Sequence, residues 1–83
     1  MEDRERLSGL CPGEWGKVTD LTAVGAMRRR LLDIGLVQGA IVDCIGRSPA
    51  GDPTAYRICG ATVAIRRRDA DSVEIVRLGN GQK

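Results

Sequence analysis

Apolar and polar positions alternate with the two-residue period of β-strands along most of this chain. After the turn residue Gly13, the run Glu14–Leu21 predicts a first strand in which Trp15 and Val18 face a core. A second run rich in Ile and Val, residues 40–47, predicts another strand. The later alternating positions are Tyr56 and Ile58, Val63 and Ile65, and Val73 and Ile75. The pattern therefore predicts about five short strands.

Residues 26–34 depart from this alternation and show the spacing of a helix. The apolar positions at helical spacing are Met27, Leu31 and Ile34, and Val24 prolongs the stripe. Gly35 directly follows the last helical residue, where a left-handed conformation commonly ends a helix. We therefore expect one short helix between the first two strands, with Leu36 folded back onto its end.

Two segments of turn-forming residues connect the later strands. Residues 48–53 form a rigid bend, because Pro49 and Pro53 fix φ and Asp52 can bond its own backbone. Gly60 separates two alternating runs and predicts a tight hairpin.

The order of these elements predicts a mainly β domain. Curling the sheet into a small barrel buries the strands and removes most exposed edges. We predict an SH3-like barrel of about five strands, with one short α-helix inserted after the first strand. The predicted boundaries are a charged, partly flexible leader at residues 1–12, the barrel at residues 13–78 and a flexible tail at residues 79–83.

The charge of the chain is nearly balanced, but its arginines are clustered. The 83 residues are enough for one domain, and 13 Lys and Arg against 11 Asp and Glu give a net charge of +2. Two arginine triplets lie at residues 28–30 and 66–68. Each triplet is explained either by a solvated surface or by contact with an acidic partner. Both explanations stay open at this point.

Nucleic-acid binding is not predicted. Single strands are usually held by stacking on aromatic side chains, and Trp15 and Tyr56 are the only aromatic residues. Duplex DNA is normally bound by a helix within a multi-helix motif, whereas one helix is predicted here.

The chain is also predicted not to be a membrane protein. No apolar run approaches the length of a membrane span, and the first residues lack the apolar core of a signal peptide. The cysteines, Cys11, Cys44 and Cys59, are odd in number and lack paired short spacing, which fits reduced thiols. These features predict a cytoplasmic protein.

No catalytic, cofactor or metal site is predicted, and the chain is not expected to be an enzyme. The sequence contains no histidine, which is the commonest general base and metal ligand. The cysteines lack the short spacing of structural zinc sites. Asp52, Asp69 and Asp71 would form at most a weak oxygen site, and turn capping explains each of them more simply.

Three segments, in this order, resemble the FeoA domain family. They are RRRLLDIGLVQGAIVDCI, the GDP turn and VAIRRRDADSVEIV. The most specific parts are R-x-L-x-D-x-G-L-x-x-G at residues 29–39, Gly51-Asp52-Pro53, and AIRR at residues 64–67. Cys59 departs from the family pattern, in which positions around this hairpin are often charged.

The resemblance implies an SH3-like barrel and a role in bacterial ferrous iron uptake. Members of the family are small cytosolic accessory proteins of FeoB, a membrane transporter with a cytosolic GTP-binding domain. The same domain occurs at the C-terminus of DtxR-type metal-dependent repressors. The resemblance thus implies FeoB as the partner, with a stand-alone regulatory domain related to those repressors as the alternative.

A partner is expected to meet the surface formed by the helix, the turn after it and the GDP loop. The residues predicted to bind the partner are Arg29, Arg30, Leu36, Asp52, Pro53, Arg67 and Arg68. The arginines supply charge-assisted contacts. Leu36 is the candidate apolar anchor, with packing against the helix cap as the alternative. An exposed barrel edge is also compatible with self-association into a homo-oligomer.

Overall fold

Six antiparallel strands form one sheet in the computed structural model, which describes residues 5–80. The strands are β1 (Glu5–Arg6), β2 (Glu14–Leu21), β3 (Ile41–Arg47), β4 (Thr54–Ile58), β5 (Ala61–Ile65) and β6 (Val73–Asn80), and the helices are α1 (Gly25–Asp33) and α2 (Arg67–Ala70). Their order in the sheet is β1-β6-β2-β3-β4-β5. The sheet is curled but not closed, so β1 and β5 are its two edges.

The mainly β architecture with one substantial helix confirms the predicted fold class. The prediction of about five strands is corrected to six, because Glu5 and Arg6 pair with Ile75 and Glu74 at the edge of β6. The helix consequently follows the second strand rather than the first. Each predicted central strand is present, and β2 pairs with both β3 and β6.

The segment before Gly13 contributes to the core. Leu7, the first residue of a 3₁₀ turn at Leu7–Gly9, and Leu10, which directly follows that turn, are fully buried within the range predicted as a charged leader. This contribution was not predicted from the sequence, because charged residues dominate the segment and two separate leucines do not show the alternation of a strand. At the other end, β6 continues to Asn80 and enters the predicted tail. The remaining parts of the leader and tail, residues 1–4 and 81–83, lie outside the described residues.

The core is mostly aliphatic and lies on the inner face of the sheet beneath α1. Its fully buried members include Leu7, Leu10, Val18, Leu36, Val42, Val73 and Ile75. Tyr56 is the aromatic member, and its hydroxyl donates to the carbonyl of Leu7 at 3.3 Å. Trp15 is only half-buried. A buried tyrosine needs such a partner for its hydroxyl, so this bond ties the 3₁₀ turn to β4.

The helical stripe is confirmed in its centre and wrong at its beginning. Leu31 is buried, and Met27 and Ile34 are half-buried against the core. Val24 is 79% exposed. It is the N-cap residue of α1 with extended backbone angles, φ −129° and ψ 167°, so its side chain does not follow the helical period.

The end of α1 is a Schellman motif centred on Gly35. Gly35 has φ of 106°, and its N–H donates to the carbonyl of Leu32 at 3.0 Å. The N–H of Leu36 donates to the carbonyl of Leu31 at 3.1 Å. These are the two bonds that close such a cap, and they bring the apolar residue after it back onto the helix. The predicted cap is therefore confirmed.

A two-residue turn joins β4 to β5. Cys59 and Gly60 both have positive φ, 52° and 85°, as the common two-residue hairpin turn requires. The strands pair from Ile58 and Ala61 to Thr54 and Ile65 without a register shift. This confirms the hairpin predicted at Gly60 and leaves β5 as a regular outer strand.

Candidate partner-binding surface

Arginines from both triplets meet at a groove between α1 and β5. The floor of this α1–β5 groove is apolar and consists of Leu31, Ile34, Val63 and Ile65. Arg30 stands on the α1 side, and Arg66 stands where β5 leads into α2. Asp69 is the one carboxylate among its lining residues. The groove, about 150 Å³ in volume, therefore combines an apolar floor with two cationic rims.

A second cleft continues from Arg66 along α2. It has a volume of about 400 Å³ and is lined by Asp52, Arg66, Arg67, Arg68 and Asp71. The carboxylate of Asp52 accepts a hydrogen bond from the backbone N–H of Arg67 at 2.8 Å. This N–H lies at the first position of α2, where no partner within the helix is available. Asp52 thus caps α2 from the β3–β4 loop.

A third cleft lies on the far side of Arg67. Its volume is about 380 Å³, and its lining comprises Ser8, Arg47, Gly51, Thr54, Tyr56 and Arg67. Arg66 is shared by the first and second clefts, and Arg67 is shared by the second and third. The three clefts therefore form one continuous surface. We call it the basic face and define it by Arg30, Arg47, Arg66, Arg67 and Arg68.

Within residues 5–80 the arginines of the basic face form no ion pair, although the carboxylates of Asp52, Asp69 and Asp71 line the same clefts, so the face keeps a positive excess. In that range the ion pairs are those of Arg77, which contacts Glu5 at 2.7 Å and Glu14 at 3.2 Å on another part of the sheet. Asp71 is engaged locally, since its carboxylate accepts a hydrogen bond from the Ser8 hydroxyl. Such a surface attracts anionic groups, and guanidinium groups bind carboxylates in a bidentate manner.

The structure divides the predicted pair Arg29 and Arg30. Successive helical residues are about 100° apart around the axis, so neighbours in sequence face different directions. Arg29 lies with Arg28 on the other flank of α1, beside Leu32 and Asp33. Arg28 is partly fixed there, because its guanidinium donates to the carbonyl of Leu21 at 3.1 Å. Arg30 alone reaches the α1–β5 groove.

Leu36 does not serve as a surface anchor in this structure. Its exposed fraction is 0%, and it packs into the core beneath the helix cap. This is the alternative that the sequence had left open, and it corrects the assignment of Leu36 to the interface. The neighbouring Val37 is 46% exposed and is the apolar residue that this turn presents to solvent.

The remaining predicted residues lie close to the basic face. Arg67 and Arg68 line its central cleft together with Asp52. Pro53 is half-buried, and its carbonyl accepts a bond from the N–H of Ser48 at 3.0 Å, which closes the β3–β4 loop. Asp52 and Pro53 therefore shape the loop beside α2.

The sequence prediction did not select Arg47 and Arg66. Arg47 ends β3, and only the pairing of β3 with β4 brings it near α2. Arg66 is the N-cap residue of α2, and the first residue of a triplet carries no signal that distinguishes it from its neighbours. By contrast, the alternation in β3 separates exposed Ile41 and Ile45 from buried Val42 and Cys44, so the exposure of these two isoleucines could have been predicted from the sequence.

The described residues offer no clustered ligands for a metal ion. Within residues 5–80 no group of three or more His, Cys, Asp or Glu side chains converges. Cys44 is buried, and this burial raises the pKa of its thiol, whereas Cys11 and Cys59 are exposed. A buried thiol with a raised pKa is a poor thiolate nucleophile. No helix in this range combines the length and apolar character needed to cross a bilayer.

Comparison with known proteins identifies one family. The FeoA domain family matches residues 5–77. A Porphyromonas gingivalis protein described as an Fe(2+) transport protein A/Fe(2+) transporter FeoB fusion protein is 34% identical over 70 residues, or 84% of this chain. The chain spans 8% of the length of that relative.

Solved structures agree with this family and with the predicted architecture. The FeoA protein of Chlorobium tepidum has a TM-score of 0.82 at 36% identity, covering 89% of this chain and 70% of that one. The Stenotrophomonas maltophilia FeoA, described as a procaryotic SH3 domain protein complexed with zinc, has a TM-score of 0.77 at 25% identity. It covers 87% of this chain and 89% of that one. The predicted SH3-like fold is confirmed.

A manganese-dependent transcriptional repressor also shares the fold. Its TM-score is 0.83 at 20% identity, covering 94% of this chain and 43% of the repressor. At that level of identity the likeness concerns the fold and carries no statement about function.

Proposed function

Since the chain belongs to the FeoA domain family, we propose that it is a non-enzymatic accessory protein of ferrous iron uptake that binds the cytosolic part of FeoB. The observation that carries this proposal is the fusion relative. One segment of that protein aligns with 84% of this chain and is 34% identical to it. The polypeptide that contains this segment is named for both Fe(2+) transport protein A and the FeoB transporter. Covalent linkage raises the effective concentration of one module near the other. A fusion of two modules is therefore expected where the two modules bind each other.

The basic face supports binding to an acidic surface of FeoB. Its arginines come from α1, from the end of β3 and from the start of α2, so the fold brings charges from three parts of the chain to one surface. Such a surface accelerates encounter with an acidic partner and fixes the register of the complex. In this proposal the chain acts on the cytosolic side of the membrane and supports or regulates transport through contact.

The residue inventory favours binding over catalysis. The chain has no histidine to serve as a base, and its buried cysteine has a raised thiol pKa. The alternative function is that of a regulatory domain related to the DtxR-type repressors, with which this chain shares its fold at 20% identity and no more. The fusion relative favours the transporter as the partner.

Uptake of radiolabelled Fe(II) by the organism that carries the chain tests this function. Deleting the chain should lower the initial uptake rate, and expression of the wild-type chain should restore it. A fold-disrupting variant, Leu31→Asp, which places a carboxylate in the buried stripe, should not restore it. Unchanged uptake together with altered expression of metal-responsive genes would contradict the proposal and favour the regulatory alternative.

A further inference from the structure

The outer edge of β5 presents unpaired backbone groups. The two-residue turn closes with hydrogen bonds between Ile58 and Ala61, and bonded and non-bonded pairs alternate along an antiparallel ladder. The pairs of Thr62 and Ala64 are consequently the non-bonded ones. Their N–H and C=O groups therefore point away from β4, and no other described strand follows β5 in the sheet.

This edge lacks the features that usually prevent strand addition. Natural edge strands are blunted by charged residues, proline or bulges. β5 reads ATVAI, contains neither charge nor proline, and pairs with β4 without a register shift. Thr62 and Ala64 are both exposed. An extended peptide could therefore continue the sheet here with regular hydrogen bonds.

The space beside the edge has the chemistry of a peptide-binding groove. The inward side chains of β5, Val63 and Ile65, continue into the apolar floor that α1 completes with Leu31 and Ile34. Alternate side chains of an added strand would face this floor, since successive residues of a strand point to opposite faces. Arg30 and Arg66 flank the floor with one carboxylate, Asp69, and this excess of positive charge favours acidic residues at the ends of the apolar segment.

We propose that an extended segment of FeoB, apolar in its centre and acidic at its flanks, adds as a strand to the edge of β5 in the α1–β5 groove. This inference rests on the proposed function and specifies the mode of contact. Backbone hydrogen bonds to Thr62 and Ala64 supply affinity, and the apolar floor with its two arginines selects the segment.

Charge complementarity favours an acidic partner over a second copy of this chain. A second copy would bring a groove of the same net positive charge to the interface, and charges of the same sign oppose association. An acidic segment removes this repulsion and forms charge-assisted bonds with the same groups.

The test compares wild type, Ala64→Pro and Ala64→Ser for binding to intact FeoB of the same organism in detergent micelles. Proline removes the outward N–H of residue 64 without removing a bond to β4, and serine keeps that N–H. We expect Ala64→Pro to weaken binding by about tenfold or more and Ala64→Ser to stay within about twofold. Matching thermal melts establish that both variants are folded.

Equal affinity of folded Ala64→Pro and wild type would overturn strand addition and leave the proposed function intact. No binding by the wild type would overturn both. Amide hydrogen exchange of the wild-type chain gives a second test that needs no variant. The amides of Thr62 and Ala64 should exchange more slowly in the FeoB complex. Unchanged exchange at both amides, or protection caused by added copies of this chain alone, would overturn the proposal.

Discussion

The carboxylate of Asp52 accepts a hydrogen bond from the backbone N–H of Arg67 at 2.8 Å. Asp52 lies in the β3–β4 loop, whereas Arg67 is the first residue of α2. The bond therefore caps α2 from a distant part of the chain and holds the loop beside the basic face. Asp52 therefore has a structural role, whereas it was predicted from the sequence to be among the residues that contact the partner.

Replacing Asp52 by alanine should remove this cap and lower the free energy of unfolding by about 1 kcal/mol, because an N–H at the helix start loses its acceptor. Asp52→Asn retains a side-chain acceptor and should lose less. Urea unfolding of both variants measures the difference. If the two variants lost the same stability, the charge of Asp52 rather than its hydrogen bond would be responsible.

Leu36→Ala should be strongly destabilising, with a loss of about 2–5 kcal/mol, because it opens a cavity in the core. Leu36 is 0% exposed, whereas the adjacent Val37 is 46% exposed. Val37→Ala is therefore the matched control and should change stability by less than about 0.5 kcal/mol. Equal, small effects of both substitutions in thermal unfolding would contradict the burial of Leu36 and would make it a candidate anchor for the partner again.

Gly16→Ala should destabilise the domain by about 1–3 kcal/mol, since a Cβ at this position forces the backbone of β6 to move. An added Cβ would lie 2.6 Å from the carbonyl oxygen of Val76. Gly46 also lies in a strand beside a register shift, and a Cβ there meets nothing within 4 Å. Denaturant unfolding should show Gly46→Ala close to wild type, and a larger loss at Gly46 than at Gly16 would contradict the strand packing.

The stability of the domain should decrease at high pH because of Tyr56. Burial, as the main cause, raises the pKa of Tyr56 from 10.0 to about 12. The folded state therefore holds the phenol proton more tightly than the unfolded state does. The contribution of Tyr56 to the free energy of unfolding is therefore fully present below pH 10. It is lost as the pH rises from 10 to 12, by about 1.4 kcal/mol per pH unit.

The single tyrosine of the chain makes this prediction directly measurable. Phenolate absorbance of the folded protein should rise with a midpoint near 12, and that of the urea-unfolded chain near 10. Tyr56→Phe should make the loss of stability at high pH smaller. It should not abolish that loss, because the buried Cys44 thiol also has a raised pKa. A folded-state midpoint at the ordinary value would show that Tyr56 is solvated.

Charge reversal at Arg30 should weaken binding to FeoB more than reversal at Arg29. Arg30 lines the α1–β5 groove with Arg66, whereas Arg29 lies on the opposite flank of α1. Arg30→Glu removes an attractive contact and adds a repulsive one, so we expect a loss of about tenfold or more. Arg29→Glu changes the net charge equally and is the control. Equal losses would indicate long-range attraction without a defined groove.

The sequence was most informative where a local rule applies. The Schellman motif follows from Gly35 and the apolar residue after it, and the hairpin follows from Gly60 between two alternating runs. The strand β1 was missed because two residues carry no period, and its existence depends on pairing with β6. Val24 was misassigned because the periodic argument extended past the N-cap.

The candidate site was harder to predict because it depends on tertiary contacts. Which arginine of a triplet faces the groove depends on the rotation of α1, and this separates Arg30 from Arg29. The proximity of Arg47 to Arg67 depends on the β3–β4 pairing and on the placement of α2. Neither relation has a signature in residue spacing along the chain.

The most direct test of this account is binding of the purified, reduced chain to intact FeoB of the same organism in lipid vesicles. We expect saturable binding that weakens as salt concentration rises, because the basic face supplies electrostatic attraction. Binding that changes with bound nucleotide would place the contact at the GTP-binding domain. Absence of saturable binding to intact FeoB, with and without nucleotide, would contradict the account.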